Sequence, residues 1–118
     1  MSTAPAHPLS DAEYHRLTGD LLARVEATAD RLLQDDVVDI DTHRTGGLLE
    51  LAFPGGSKIV VNTQPPLHEV WLAARAGGYH YRWDGARWVD TRDGSEFFDA
   101  LSRHASTQAG TPVTFAAA

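Results

Sequence analysis

The chain has 118 residues, 42% of them hydrophobic, and no cysteine, which is typical of one soluble globular domain and excludes disulfides, thiolate metal sites and cysteine nucleophiles. Its formal net charge of −6 arises entirely within residues 1–41, which hold nine acids and three arginines. Such a field disfavours nucleic acid and anionic membranes as partners, and it favours cations or a basic protein surface.

The chain start has neither the basic region nor the apolar block of a secretory signal, and no apolar run is long enough to span a membrane. We therefore expect a cytoplasmic protein. Residues 1–8 are expected to form a flexible tail, and a helix is predicted from about residue 9 to 34. Ser10 and Glu13 predict a capping box at its start. Its apolar stripe repeats at three- and four-residue steps and comprises Tyr14, Leu17, Leu21, Val25, Thr28 and Leu32.

A sheet is predicted between about residues 37 and 90. Short alternating runs, divided by glycines, fall at 37–42, 48–53, 58–62, 69–74, 79–83 and 87–89. Their close spacing and the Asp84-Gly85 turn signal favour an antiparallel meander.

A second helix is predicted at about 94–109. Asp93 and Glu96 form its expected capping box, and Gly110 ends it before an extended tail at 111–116 that packs through Val113 and Phe115. The predicted fold class is α+β, a two-layer sandwich in which both helices cover one face of an antiparallel sheet of five to six strands, as a single domain over 1–118. The other face of the sheet would meet solvent or a partner.

The acids of the first third fall on predicted outward positions. Helical phase places Asp11, His15, Glu26 and Asp30 on one edge of the first helix, and that edge carries no basic residue. Strand alternation places Asp35, Asp39 and Asp41 on the outward side of the first strand. Asp30, Asp35 and Asp36 also lie near the negative end of the helix dipole, which costs about 0.3–1 kcal/mol each where exposed.

We call this predicted set the acidic ridge. It has two interpretations, a solubilising surface or a binding surface for something positive. Carboxylate oxygens with an occasional imidazole suit divalent cations and iron, and a basic protein groove would fit equally well. Because no EF-hand, H-x-x-x-H or E-x-x-H spacing is present, any metal sites would be open and weak. His43 is a further candidate ligand.

Strand alternation also places Trp71 on the side of the sheet opposite the helices. A lone tryptophan is often packed under a loop. An outward tryptophan beside polar residues such as Asn62 is, however, typical of an interface anchor.

Four segments carry a family resemblance: "SDAEYHRL", "DDVVDID", "GGLLELAFPGGSKIVVNTQPPLHEVWLAARAGGYHYRW" and "GSEFFDALSRHASTQAGTPVTF". In this order they resemble the bacterial members of the frataxin family over nearly the whole chain from Ser10. The resemblance implies the two-layer sandwich and a role in iron–sulfur cluster biogenesis. It implies weak binding of Fe2+ or Fe3+, no organic cofactor, and docking on a cysteine desulfurase and its cluster scaffold to modulate cluster formation.

Carried over by position, the resemblance gives two sets of site residues. The metal-binding ridge is Asp11, His15, Glu26, Asp30, Asp35, Asp36, Asp39 and Asp41, and the partner-binding patch is Asn62, Gln64 and Trp71. Ala27 and Arg31 stand where the family often has acids, and Glu69 stands where glutamine is common. A monomer is expected, with iron-dependent oligomers as an alternative.

No nucleophile, base and orienting group can be assigned together, so we expect a protein that is not an enzyme. Two alternatives stay open at this point. One is ferroxidase-like iron oxidation and storage, and the other is an acidic interaction module with no metal role.

Overall fold

The computed structural model describes residues 8–117, and the tail predicted for residues 1–8 therefore lies outside the described residues except for its last position. The secondary structure elements are α1 (Asp11–Gln34), β1 (Asp41–Thr45), β2 (Leu48–Ala52), β3 (Lys58–Gln64), a 3-10 turn (Pro65–Leu67), β4 (Glu69–Ala74), β5 (Gly77–Trp83), β6 (Trp88–Asp90) and α2 (Phe97–Ala109). The strands form one six-stranded antiparallel sheet in chain order. The predicted fold class is confirmed, with six strands.

Helix α1 begins as its sequence predicts. Ser10 is the N-cap, its Oγ accepts from the Glu13 N–H at 3.1 Å, and the Glu13 carboxylate accepts from the Ser10 N–H at 3.0 Å. The buried face of the helix includes Tyr14, Leu21 and Val25. This face packs on the sheet because the apolar stripe recurs with helical period.

Alternate sheet residues form the other half of the core. Leu49, Val61, Leu72 and Tyr81 are all at most 1% exposed, and they share one cluster with the buried residues of both helices. Since successive side chains of a strand point to opposite faces, the intervening residues form an open face without a covering layer in the described part of the chain. No helix within residues 8–117 is long and apolar enough to cross a membrane.

The first strand begins at Asp41, four residues later than predicted. Residues 35–37 are instead a turn that ends α1, and residues 38–40 belong to no strand. The alternation of valine, isoleucine and aspartate suggested a strand from Val37, but pairing with β2 begins only at Asp41, which lies opposite Ala52, the last residue of β2.

The start of α2 also differs from prediction. Its N-cap is Glu96, whose carboxylate accepts from the N–H groups of Phe98 and Asp99 at 2.8 and 2.9 Å. Asp93 instead closes the preceding turn by accepting from the Ser95 N–H at 2.9 Å, and this hydrogen bond lowers the pKa of Asp93. The predicted capping box of Asp93 and Glu96 is therefore wrong, since the helix begins three residues later than that box requires.

The predicted end of α2 and the packing of the tail are confirmed. Gly110 adopts the left-handed conformation (φ 71°) that ends many helices. The tail then runs back along α2, where Ser106 Oγ bonds both backbone groups of Val113 and Ser102 Oγ bonds both of Phe115. These bonds hold the two apolar tail residues in the core.

Candidate functional site

The end of α1 is built so that two aspartates are exposed. Asp35 is the C-cap, and Asp36 follows it in the left-handed conformation. The Val37 N–H donates to the Leu32 carbonyl at 2.9 Å, and the Asp36 N–H donates to the Leu33 carbonyl at 3.0 Å. This pair of bonds is a Schellman motif, in which glycine usually occupies the left-handed position. An aspartate at that position costs stability, and it points a carboxylate into solvent at the negative end of the helix.

The acidic ridge continues from this turn into β1. Asp39 and Asp41 are exposed, whereas Ile40 is buried and Val38 packs against the core. Asp36 and Asp39 line one shallow depression. The strand predicted to carry Asp35 and Asp39 is thus replaced by a turn and an irregular segment, and only Asp41 of this group lies within a strand. The outward exposure predicted for these acids is nevertheless confirmed.

The helix edge of the ridge is not free of positive charge. Arg44 of β1 lies opposite Leu49, on the side of the strand that faces the helices. From there its Nη1 reaches the Glu26 carboxylate at 2.8 Å. The prediction of an unpaired edge considered only residues of the helix, and it is wrong for Glu26. Asp30, one turn further on, is exposed and takes no part in the ion pairs of residues 8–117.

The first two members of the ridge lie far from the others. Asp11 and His15 are at the start of α1, where the Asp11 carboxylate accepts a contact of 2.8 Å from His68 Nε2. His15 Nδ1 lies 3.0 Å from the carbonyl of Asp11. At 1.5 Å per residue, Asp11 and Asp30 are separated by about 28 Å along the helix. The structure therefore leaves Asp11 and His15 apart from the later acids, among which Asp36 and Asp39 line one depression and Asp41 lies on the open face of β1, as His43 does.

The acids do not converge on one closed metal centre. Within residues 8–117 no three histidine, aspartate or glutamate side chains are placed to hold one metal ion. His43 lies on the open face of the sheet, opposite Glu50 of β2. A cation at the ridge would therefore contact few protein oxygens and keep most of its water, which is the geometry of a weak, exchangeable site.

The open face of the sheet carries the second predicted set. Asn62, Trp71 and His80 lie side by side on β3, β4 and β5. The rings of Trp71 and His80 are parallel, with centroids 4.1 Å apart. Gln64 occupies the next outward position of β3, opposite Glu69. The predicted outward direction of Trp71 is confirmed, and the role of the three residues in partner binding stays a prediction.

Glu69 is a buried carboxylate on this otherwise open face. The residue is 5% exposed. Its Oε1 accepts from Trp71 Nε1 at 2.8 Å, its Oε2 accepts from Arg82 Nε at 2.9 Å, and His80 Nδ1 lies 3.8 Å from Oε1. Alternation in β4 already placed Glu69 and Trp71 on the same side. The pairing with Arg82 depends on the register of β4 against β5, which a single sequence does not show.

Tyr14 fixes the hairpin that holds these residues. Its hydroxyl donates to the carbonyl of Glu69 and accepts from the N–H of Gln64. Burial raises the pKa of Tyr14 to about 12, so the hydroxyl stays protonated and can serve both partners. A residue in the first turns of α1 thus sets the backbone position of two residues of the open face.

A family model and the related sequences agree on one family for this chain. A family model described as a frataxin-like domain matches residues 7–111. The iron-sulfur cluster assembly protein CyaY of Variovorax paradoxus is 52% identical over 110 residues, which cover 93% of this chain and 100% of that protein. The CyaY protein of Cupriavidus necator is 48% identical over 107 residues, covering 91% and 96%.

Solved structures show the same architecture. The frataxin of Psychromonas ingrahamii is 33% identical, covers 92% of this chain and 99% of its own, and gives a TM-score of 0.80. A trimeric yeast frataxin (Saccharomyces cerevisiae) complexed with ferrous iron gives 0.68 at 22% identity, with 94% of each chain covered. The yeast protein shows likeness of fold alone.

Proposed function

The chain belongs to the frataxin family, and we propose that it acts in iron–sulfur cluster assembly as an iron-binding adaptor and regulator of a cysteine desulfurase and its cluster scaffold. Its curated relatives are named iron–sulfur cluster assembly proteins. The single observation that carries the proposal is the segment from Asp35 to Asp41, in which four aspartates are exposed and none forms an ion pair in residues 8–117.

Iron is the cargo of this segment. Ferrous and ferric ions accept hard oxygen ligands, and Asp36 and Asp39 line one depression between them. Each ion would take one or two carboxylates and complete its shell with water. Binding of this kind is weak, and it leaves the ion able to transfer to a partner.

The same acids serve docking. A concentrated negative surface attracts a basic groove over about one Debye length, roughly 8 Å at physiological salt. Trp71, Asn62 and Gln64 supply the short-range contacts on the open face, where an aromatic anchor is beside amide groups. A bound ion would neutralise part of the ridge, so iron load and docking strength are coupled by charge.

The proposal is tested by neutralising Asp35, Asp36, Asp39 and Asp41 to asparagine together. We expect loss of the Fe2+-dependent NMR shifts at these positions and loss of desulfurase capture at physiological salt. Asp20→Asn is the control, because Asp20 is an exposed acid of α1 that lies outside the ridge, with Arg16 and Arg24 four residues before and after it. Unchanged desulfurase capture by the fourfold variant would disprove docking through the ridge, and unchanged iron shifts would disprove iron binding there.

Ferroxidase-like oxidation and storage is the weaker candidate. That chemistry needs several fixed ligands around one or two ions, and residues 8–117 place no three acids or histidines together. The rate of Fe2+ oxidation with the protein, compared with that in a buffer of equal carboxylate content, separates the two functions. A rate well above the buffer would favour oxidation and storage.

A further inference from the structure

The region from β4 to β6 uses its carboxylates internally. Glu69 is bound by Trp71 and Arg82. Asp84 Oδ1 accepts from the N–H groups of Ala86 and Arg87 at 2.9 and 2.7 Å, and these bonds lower its pKa. Asp90, which is 4% exposed, accepts from the N–H groups of Arg92 and Asp93 at 2.7 and 3.3 Å. The three acids between residues 69 and 92 therefore stabilise turns and one ion pair.

Most arginines of the same region form no ion pair with the described residues. Residues 69–92 contain four arginines, and among the described residues only Arg82 of these forms an ion pair. That pair uses Nε alone. Its side chain is 45% exposed, and its two terminal nitrogens have no acceptor among residues 8–117. A guanidinium held at Nε with both terminal nitrogens open is oriented to take a carboxylate.

An apolar depression lies on the same open face, separated from Arg82 by the row of Asn62, Trp71 and His80. Val60, Ala73 and Gly78 form one cross-strand row of small residues on the open face. The stacked rings of Trp71 and His80 rise beside that row, and the resulting depression has a volume of about 200 Å³. A leucine- or phenylalanine-sized side chain fits in it.

We propose that this face docks an extended acidic segment of a partner protein, with an apolar side chain in the depression and a carboxylate on Arg82. The inference rests on the proposed docking function, and it names the chemistry of the partner. Gly78 and Arg82 are four residues apart on β5, about 13 Å at the rise of a strand. An extended segment therefore presents its apolar residue and its acid four positions apart, on the same side of the strand.

Glu69 is the positioning residue of this unit. One oxygen fixes the indole of Trp71 and the other fixes Nε of Arg82, so that one buried side chain sets both anchors before the partner arrives. Preorganisation of this kind reduces the entropy lost on docking. Glutamate is suited to this role because each of its oxygens accepts one of the two donors, whereas an amide has only one oxygen.

The experiment is an NMR titration of the full chain, at physiological salt, with an eight-residue peptide. The peptide has leucine at its second position, glutamate at its sixth and seventh, and glycine and serine elsewhere. We expect saturable shifts of the Trp71 Nε1–H and Arg82 Nε–H signals, and roughly fivefold weaker binding when the glutamates are replaced by glutamine. The net charge of −6 would by itself make the glutamine peptide bind more tightly than the glutamate peptide. Which peptide binds more tightly therefore shows whether the local contact with Arg82 or the net charge of the protein controls binding.

Variants locate the contact. Arg82→Gln should lower the affinity for the glutamate peptide to that of the glutamine peptide. Arg75→Gln, in the β4–β5 turn, should keep the affinity for the glutamate peptide within about twofold of that of the unchanged protein. Absence of saturable shifts, equal binding of the two peptides, or equal loss in both variants would overturn the inference. If these results fail while desulfurase and scaffold capture still requires Trp71, only the acidic-segment inference falls. If the peptide result holds and capture is absent, the proposed function falls instead.

Discussion

Replacing Asp36 by glycine should stabilise the fold while it weakens cation binding. Asp36 holds the left-handed position of the Schellman motif at φ 59°. Relief of this backbone strain is worth about 1–2 kcal/mol, and removal of a negative charge from the negative helix end adds about 0.3–1 kcal/mol. The larger entropy of an unfolded glycine subtracts about 0.5–1 kcal/mol. The net expectation is a gain of about 1 kcal/mol in the free energy of unfolding.

Urea and thermal unfolding measure this gain, and a shift of about 4 °C in Tm is expected for a domain of this size. Asp36→Asn should recover about half of the gain, since asparagine tolerates the left-handed region better than other non-glycine residues. Asp39→Asn is the matched control, because it removes a nearby exposed charge from a residue that does not have a left-handed backbone. High salt should reduce the electrostatic share of the gain and leave the backbone share. A gain no larger than that of Asp39→Asn would refute the assignment of strain to Asp36.

Three further changes test other parts of the structure. Arg44→Gln should free the Glu26 carboxylate and strengthen Fe2+ binding at the adjoining ridge severalfold in a calorimetric titration, with Arg31→Gln as the control; unchanged binding would show that Glu26 is not part of the cation site. Ala117→Leu should fill part of the cavity of about 190 Å³ between α1, the β5–β6 loop and the start of α2. The added buried hydrocarbon should increase the free energy of unfolding by about 1 kcal/mol and raise Tm, and a fall in Tm would mean that the cavity cannot admit the side chain. Burial lowers the pKa of His104, whose Nε2 is buried without a hydrogen-bond partner in the described residues, so the neutral ring is favoured in the fold and stability should fall as pH drops below about 6.5. His104→Leu should make urea stability less dependent on pH between 7 and 5.5, and an unchanged slope would contradict this.

The helices and the alternation of the sheet could be predicted because their signals are local. The capping box of Ser10 and Glu13 and the terminal Gly110 each act within one helical turn. The start of β1 could not be predicted in the same way, because it is set by the pairing with β2, whose last residue, Ala52, lies opposite Asp41.

The electrostatics of the site depended on contacts that no local pattern contains. Glu26 and Arg44 are 18 residues apart and meet only because β1 packs beside α1. Glu69 and Arg82 meet because the β4–β5 register sets them opposite each other. Reading charges along one helix or one strand therefore identified which acids are exposed, but it could not identify which of them are neutralised.

These contacts divide the molecule into two electrostatic surfaces that can act separately. The acids from Glu26 to Asp41 border β1, and Arg82 lies on β5 of the same sheet. Four strand spacings separate β1 from β5, about 19 Å, which is more than twice the Debye length of roughly 8 Å at physiological salt. A basic partner at the ridge and an acidic segment at Arg82 would therefore not compete through their charges. An adaptor that joins two proteins needs this separation, because one uniform acidic surface would repel the second partner that it has to hold.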